Sequence, residues 1–285
     1  MAILSVTGLV KTYSRRRVVD GVDFAVMPGE IVGLLGANGA GKTTCFRMTC
    51  GMVKPDRGQV ELAGIDVTDW PMFRRAKDGG MGYLAQESSI FRKLTARDNL
   101  LCVMEMIGMG RRERRKRCTE LLDRFQLNHT KKSRAEDLSG GEKRRLEFAR
   151  CLISDPAIIL LDEPFAAVDP VTVNDIQTVI RELRESGISF LITDHSVRET
   201  LAITDRSYVM KEGKILCHGS PSEVINHPEA RRSYFGESIQ IDEPADQFRG
   251  YEAPPNVPPP HFSADSHAPE SQVSAERQRY GQRRP

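Results

Sequence analysis

The sequence has no apolar run approaching the roughly 18 residues that a membrane-spanning helix requires. Its opening, MAILSVTGLVK, has neither the basic start nor the long apolar core of a secretory signal. The chain is therefore expected in the cytoplasm. Its six cysteines, Cys45, Cys50, Cys102, Cys118, Cys151 and Cys217, are scattered without a CxxC pair or histidines at metal-binding spacing. That excludes a zinc site or a disulfide framework and leaves reduced thiols. Neither sign of charge is in surplus: 41 Lys and Arg face 39 Asp and Glu, so the overall balance exerts no pull toward nucleic acid. No internal repeat is present.

What is present is an alternation of apolar strands and amphipathic helices, long enough to bury a substantial core. Residues 3–36 read as short strands, ILSVTGLV, VDFAVM and IVGLLG, in a strand-rich first layer. A helix follows from about Gly41 to Gly51, then strands QVELAG and MGYLAQ, the second ending at Gln86. Between about 95 and 153 the periodicity is helical, and in GRRERRKRCTELLDRF the apolar Leu121, Leu122 and Phe125 share one face. The basic run Arg111 to Arg117 then reads as the solvated side of that helix. The apolar run AIILLDEP marks a strand buried on both faces of a parallel sheet. After it come a helix over 171–186, strand ISFLITDH, a helix starting near Ser196 and strands RSYVM and KILCHG. A last helix opens at SPSEVI, with Ser220 as cap, Pro221 first and Glu223 closing a capping box. From about Ile241 the composition changes, eight of the 16 prolines falling in the last 45 residues, which cannot bury a core. Residues 1–240 are thus expected to form one α/β domain with a helical insert near 87–155, and 241–285 a disordered tail.

GLLGANGAGKTT contains G-x-x-x-x-G-K-T at Gly36 to Thr43, between an apolar strand and a helix, the setting in which this pattern binds phosphate. Gly36, Gly39 and Gly41 allow backbone N–H groups to turn inward around phosphate oxygens, and the helix N-terminus adds partial positive charge. The nucleotide loop so defined runs through Gly36, Ala37, Asn38, Gly39, Ala40, Gly41, Lys42, Thr43 and Thr44. Lys42 is expected to reach the β- and γ-phosphates, and the Thr43 hydroxyl to bind Mg2+.

Phosphoryl transfer also needs a holder for the metal and a group that orients the attacking water. Asp162 and Glu163 end the AIILLDEP strand and supply both, Asp162 holding Mg2+ directly or through water and Glu163 polarising water as general base. Gln86 and His195 end two other strands, where parallel α/β sheets bind ligands. Gln86 reads as a contact to the metal or the water, His195 to the γ-phosphate. Tyr13 offers a ring for an adenine face. LSGGEKRRLEFAR places Ser139, Gly140, Gly141 and Glu142 at a helix start, which is both a capping box and a second anion site. The simplest use for a second phosphate-binding turn is to cap the γ-phosphate held by another copy, in a two-fold pair with two shared sites.

GANGAGKT, Gln86, LSGGE, ILLDEP, the AAVD turn at Ala166 to Asp169, and His195, in that order, resemble the nucleotide-binding subunits of ABC transporters over about residues 1–240. The resemblance implies a RecA-like P-loop NTPase core with an antiparallel β subdomain and an inserted α-helical subdomain, working as an ATPase with ATP and Mg2+. It implies that Tyr13 stacks on adenine, Gln86 couples, Glu163 is the base, Asp169 touches the partner copy and His195 is the switch histidine. It further implies a head-to-tail, ATP-bridged homodimer beneath separate transmembrane permease subunits, on the inner face of the cell membrane, with no nucleic acid as partner. The groove with Gln86, Ile90, Phe91 and Arg92 is then the expected seat of those subunits. Within the family, YLAQESSIFRKLTARDN, FAAVDPVTVNDIQ and LITDHSVRETL are similar to the ATPases of lipopolysaccharide export. The alternative is a branched-chain amino-acid or other ABC transporter. Soluble ABC ATPases that act on nucleic acid or the ribosome usually carry a long coiled-coil insertion or two tandem units, whereas this sequence has one phosphate loop and one LSGGE. Ala37 and Ala85 stand where the family usually has proline, and Ser196 where it often has asparagine; none is a catalytic position.

Overall fold

A computed structural model describes residues 1–236. The tail expected from 241 lies outside the described residues. In chain order the first elements are strands β1 (Leu4–Tyr13), β2 (Arg16–Val26) and β3 (Ile31–Gly36), helix α1 (Lys42–Cys50), strands β4 (Arg57–Leu62) and β5 (Ile65–Asp66), helix α2 (Met72–Asp78) and strand β6 (Met81–Leu84). Helices α3 (Ala96–Met106), α4 (Arg111–Arg124) and α5 (Gly140–Cys151) follow, then strand β7 (Ile158–Asp162), helix α6 (Pro170–Glu185) and strand β8 (Ser189–Thr193). Helix α7 (Val197–Leu201), strands β9 (Arg206–Lys211) and β10 (Lys214–Gly219), helix α8 (Pro221–Asn226), the short helix α9 (Pro228–Ala230) and a π-helical turn (Arg231–Phe235) complete the order among the described residues. Among the described residues no helix is long and apolar enough to cross a membrane.

The strands form two sheets, an antiparallel one ordered β2-β1-β4-β5 and a larger one ordered β10-β9-β3-β8-β7-β6. The larger sheet is parallel from β9 to β6, with β10 antiparallel at its edge. The strand-rich first layer expected over residues 3–36 is therefore divided. β1 and β2 alternate buried and partly exposed residues and pair with each other, while all six residues of β3 are buried, so it sits inside the parallel sheet.

Alternation along the parallel strands feeds two large cores, and Leu35 and Val209 feed a smaller third one with Leu201, Val224 and Phe235. Val32, Leu34, Ile158, Leu160 and Leu191 point to one face, where they pack with Phe46 and Met48 of α1 and with Leu4, Val6, Val22 and Phe24 of the antiparallel sheet. Ile159, Leu161, Phe190 and Ile192 point to the other, under Leu100, Leu121, Leu146, Phe148, Ile176 and Ile180 of α3 to α6.

The helical stretch expected over 95–153 is three helices joined by loops. Thr95 caps α3 by accepting from the Asp98 N–H, and Leu121, Leu122 and Phe125 are buried as their spacing predicts. The basic run opens α4 and is divided: Arg111, Arg112, Arg115 and Lys116 are exposed, whereas Arg114 pairs with Glu105 and Arg117 with Asp155. Ile90, expected on an exposed apolar patch, is buried in the core, while its neighbour Phe91 stays 39% exposed under the Arg150 guanidinium.

Arg75 of α2 has 0% exposure, and it spends its guanidinium on the carbonyls of Trp70, Thr68, Met48 and Thr49. The last two lie in the final turn of α1, so a buried cation closes the negative end of that helix. Burial lowers its pKa to about 10.

Candidate functional site

Four parallel neighbours, β3, β8, β7 and β6, end at one edge of the sheet. Leu34 pairs with Thr193, Thr193 with Asp162, and Leu161 with Leu84. Gly36 closes β3, His195 follows β8, Glu163 follows β7 and Gln86 follows β6, so the register itself gathers these residues.

The loop after β3 requires its glycines. Gly36, Gly39 and Gly41 have φ of +145°, +79° and +101°. A Cβ on Gly36 would lie 2.3 Å from the Met210 carbonyl oxygen, and one on Gly41 2.5 Å from that of Val18. Val18 belongs to β2, and its carbonyl oxygen would also meet a Cβ on Gly213 at 2.7 Å. The Gly213 N–H donates to the Ala40 carbonyl at 2.9 Å, so the β9–β10 turn supports the loop from below. Sequence reasoning missed Gly213, although the Glu-Gly pair between strands RSYVM and KILCHG is a turn signal. Glu212 and Gly213 both have positive φ, +49° and +82°.

Ala37, Asn38 and Gly39 form an exposed crest, Ala40, Gly41 and Lys42 are buried, and Thr43 and Thr44 open α1 with Thr43 exposed. The Lys42 ammonium donates to the carbonyls of Gly36 at 2.5 Å and Ala37 at 3.1 Å. Burial lowers its pKa, opposed by Glu163 and Asp194. A buried ammonium turned onto its own loop, beside a helix N-terminus and an open crest, fits a polyphosphate.

The acids stand opposite. The Glu163 backbone has φ of +46°, a strained conformation for a residue with a side chain, and its N–H donates to the Thr193 carbonyl at 2.7 Å. Its Oε2 accepts from Gln86 Nε2 at 2.9 Å and lies 3.4 Å from His195 Nδ1. Three of the residues nominated from sequence thus meet at one oxygen. Asp162 accepts from the Tyr83 hydroxyl at 3.3 Å, and burial raises its pKa. The Asp162 carboxylate, the Thr43 hydroxyl and the amide oxygen of Gln86 are the hard donors that suit Mg2+. Asp194, not nominated from sequence, is wholly buried and accepts from the N–H groups of Phe165 at 2.7 Å and Ser196 at 2.8 Å. It fixes the turn after Glu163 and the backbone around His195, and burial raises its pKa.

Tyr13 ends β1 with its side chain 47% exposed and the Lys11 ammonium 5.6 Å from its ring centre. Asp169 caps α6, accepting from the N–H groups of Val171 and Thr172.

The Ser139 turn folds as the expected capping box. Ser139 N–H and Oγ donate to Glu142 Oε2 at 2.8 and 2.7 Å, and the Glu142 N–H donates to Ser139 Oγ at 3.2 Å. These bonds hold the Glu142 carboxyl below the usual carboxylate range, with a smaller contribution from His129. His129 Nε2 stands 2.9 Å from Glu142 Oε1. Gly140 and Gly141 face Thr172 and Asp175 of α6. Among the described contacts of Ser139 to Glu142, none reaches the loop at 36–44.

Comparison with known proteins agrees with this arrangement. Residues 19–166 match the family described as ABC transporter. An ABC transporter ATP-binding protein of Rhizobium meliloti is 51% identical over 234 residues, covering 82% of this chain and 86% of the relative. The lipopolysaccharide export system ATP-binding protein LptB of Acidithiobacillus ferridurans is 49% identical over 239 residues, covering 84% and 99%. Among solved structures, the ADP conformation of MJ1267, an ATP-binding cassette of an ABC transporter, superimposes with a TM-score of 0.74 at 29% identity, covering 83% of this chain and 100% of that one. The dimeric post-hydrolysis state of the cassette MJ0796, bound to ADP and Pi, gives a TM-score of 0.65 at 26% identity, covering 76% and 98%. With the glycine loop, the acid pair and the Ser139 turn set on this fold, the chain belongs to the ABC transporter family, as one of its ATP-binding cassettes.

Proposed function

We propose that this chain hydrolyses Mg-ATP as the nucleotide-binding subunit of a transporter that exports lipopolysaccharide. The observation that carries the hydrolytic reading is the meeting of Gln86, Glu163 and His195 at the edge where the glycine loop opens. Lys42 and the loop amides hold the β- and γ-phosphates, and Thr43, Gln86 and Asp162 would hold Mg2+, which when bound would neutralise phosphate charge. Glu163 takes the proton of the attacking water, with Gln86 and His195 fixing the carboxylate that receives it. Tyr13 packs on the adenine.

The Ser139 to Glu142 turn acts on the site of a second copy. None of its described contacts reaches the loop of its own chain, and the dimeric ADP-bound cassette among the structural neighbours supports a paired working form. Binding therefore draws two copies together and hydrolysis releases them, which supplies mechanical work to separate transmembrane subunits seated by Phe91 and Arg92 on the inner face of the membrane. The lipid cargo rests on the likeness to LptB. Residues 1–240 suffice for hydrolysis in this reading, and residues 241–285 lie outside the catalytic unit.

Glu163→Gln tests the reading directly. The variant should bind ATP, lose hydrolysis by at least about a hundredfold and sediment as a dimer only with ATP. A variant that hydrolyses at the parental rate, or stays monomeric with ATP, refutes it. The cargo is tested by purifying the native membrane complex: bound lipopolysaccharide is expected, and a complex that stimulates hydrolysis with another solute and not with this lipid refutes the assignment.

A further inference from the structure

The tip of α5 carries an acid at the place where the proposed function brings a triphosphate. Glu142 is held in place: its Oε2 accepts from the N–H and hydroxyl of Ser139, and swinging aside would give up the carboxylate half of the capping box. A γ-phosphate approaching Ser139 from a second copy therefore meets a fixed negative charge.

The nearby basic residues of α5 are otherwise engaged. Lys143 donates to the Glu136 carbonyl, Arg144 pairs with Glu147 and Arg145 with Asp175. Among the described ion pairs, the group facing Glu142 is His129, from the loop between α4 and α5, at 2.9 Å from Oε1. Its side chain is 66% exposed, so it reaches Glu142 from the solvent side of the turn.

We infer that His129 is a positioning residue for nucleotide capture between two copies. Protonated, it compensates Glu142 on the outer oxygen, so that the hydroxyl of Ser139 and the amides of Gly140 and Gly141 receive the phosphate without a like charge opposing it. The inference rests on the shared site proposed above. Removing the compensation weakens ATP-driven pairing and leaves the chemistry at Glu163, on the other copy, unchanged.

Two variants separate charge from hydrogen bonding. His129→Gln keeps a hydrogen-bond donor to Glu142 without charge, and His129→Lys keeps the charge without the ring. In the full-length Glu163→Gln chain, the ATP concentration for half-maximal dimerisation, read by sedimentation, should rise about threefold with His129→Gln and return toward the parental value with His129→Lys. With Glu163 intact, His129→Gln should raise the KM for ATP by a similar factor at nearly constant kcat. Parental values for His129→Gln, or an equal loss in both variants accompanied by a lower Tm, overturn the inference and leave the shared site standing. If the Glu163→Gln chain with His129 intact does not dimerise with ATP, the shared site falls and the role of His129 falls with it.

Discussion

Gln86 donates to Glu163 across 2.9 Å although 77 residues separate them in the chain, and His195 faces the same carboxylate oxygen from a third strand. The carboxylate is therefore aimed by two side chains as well as by its own strained backbone. Gln86→Ala and His195→Ala should each slow hydrolysis by about a hundredfold while ATP affinity stays within a few-fold. The double variant should lose less than the product of the single losses, because the two act on one group. Steady-state phosphate release with parallel nucleotide titration checks both points.

Gly41 tests the loop without touching a charged group. Gly41→Ala forces a side chain into a left-handed backbone 2.5 Å from the Val18 oxygen. Stability should fall by about 1 to 3 kcal/mol and nucleotide affinity with it, read by urea unfolding and by titration with a fluorescent ATP analogue. Gly39→Ala, where no atom crowds the added carbon, should have the milder effect.

Arg75→Met removes four side-chain hydrogen bonds to carbonyls, two of them buried, those of Met48 and Thr49. The expected loss is about 3 kcal/mol, seen as a lower urea midpoint at unchanged slope. Arg75→Lys should recover only part of it, since an ammonium cannot span the fork that the guanidinium fills.

The Glu142 charge should contribute stability only above a certain pH. Its folded pKa lies below its unfolded value, chiefly through Ser139, so the contribution is full above the ordinary carboxylate range and disappears as pH falls through the lowered folded value. The stability difference between the parent and Glu142→Gln should therefore be largest near neutrality and vanish in acid. A difference that grows as pH falls would reverse the assigned sign.

The loop, the acid pair and the Ser139 turn were legible in the sequence because each is a local spacing bounded by a strand or helix end. The α8 capping box was legible for the same reason. What escaped the sequence depends on partners far along the chain. Asp194 was not singled out, since the Phe165 N–H that it accepts from lies 29 residues away. Neither α2 nor its Arg75 was singled out from the sequence, because the α1 carbonyls that the guanidinium closes lie 26 and 27 residues away. Ile90 and Phe91 are adjacent apolar residues, and only tertiary packing decides which enters the core. β3 was read with its sequence neighbours because periodicity identifies a strand without naming its sheet.

The phosphate loop rests on the Val18 carbonyl, with Gly41 on one side and Gly213 on the other. The closest atoms at that junction belong to peptide units, with Met210 Cε 3.5 Å from a Cβ on Gly41 as the side-chain atom beside them. Rotamer changes, which let packed side chains adapt to neighbours of different bulk, have only Met210 to act on there. The width of the cradle is consequently set mainly by main-chain geometry, and a change in the bend of the antiparallel sheet is passed to the loop largely through the Val18 peptide unit.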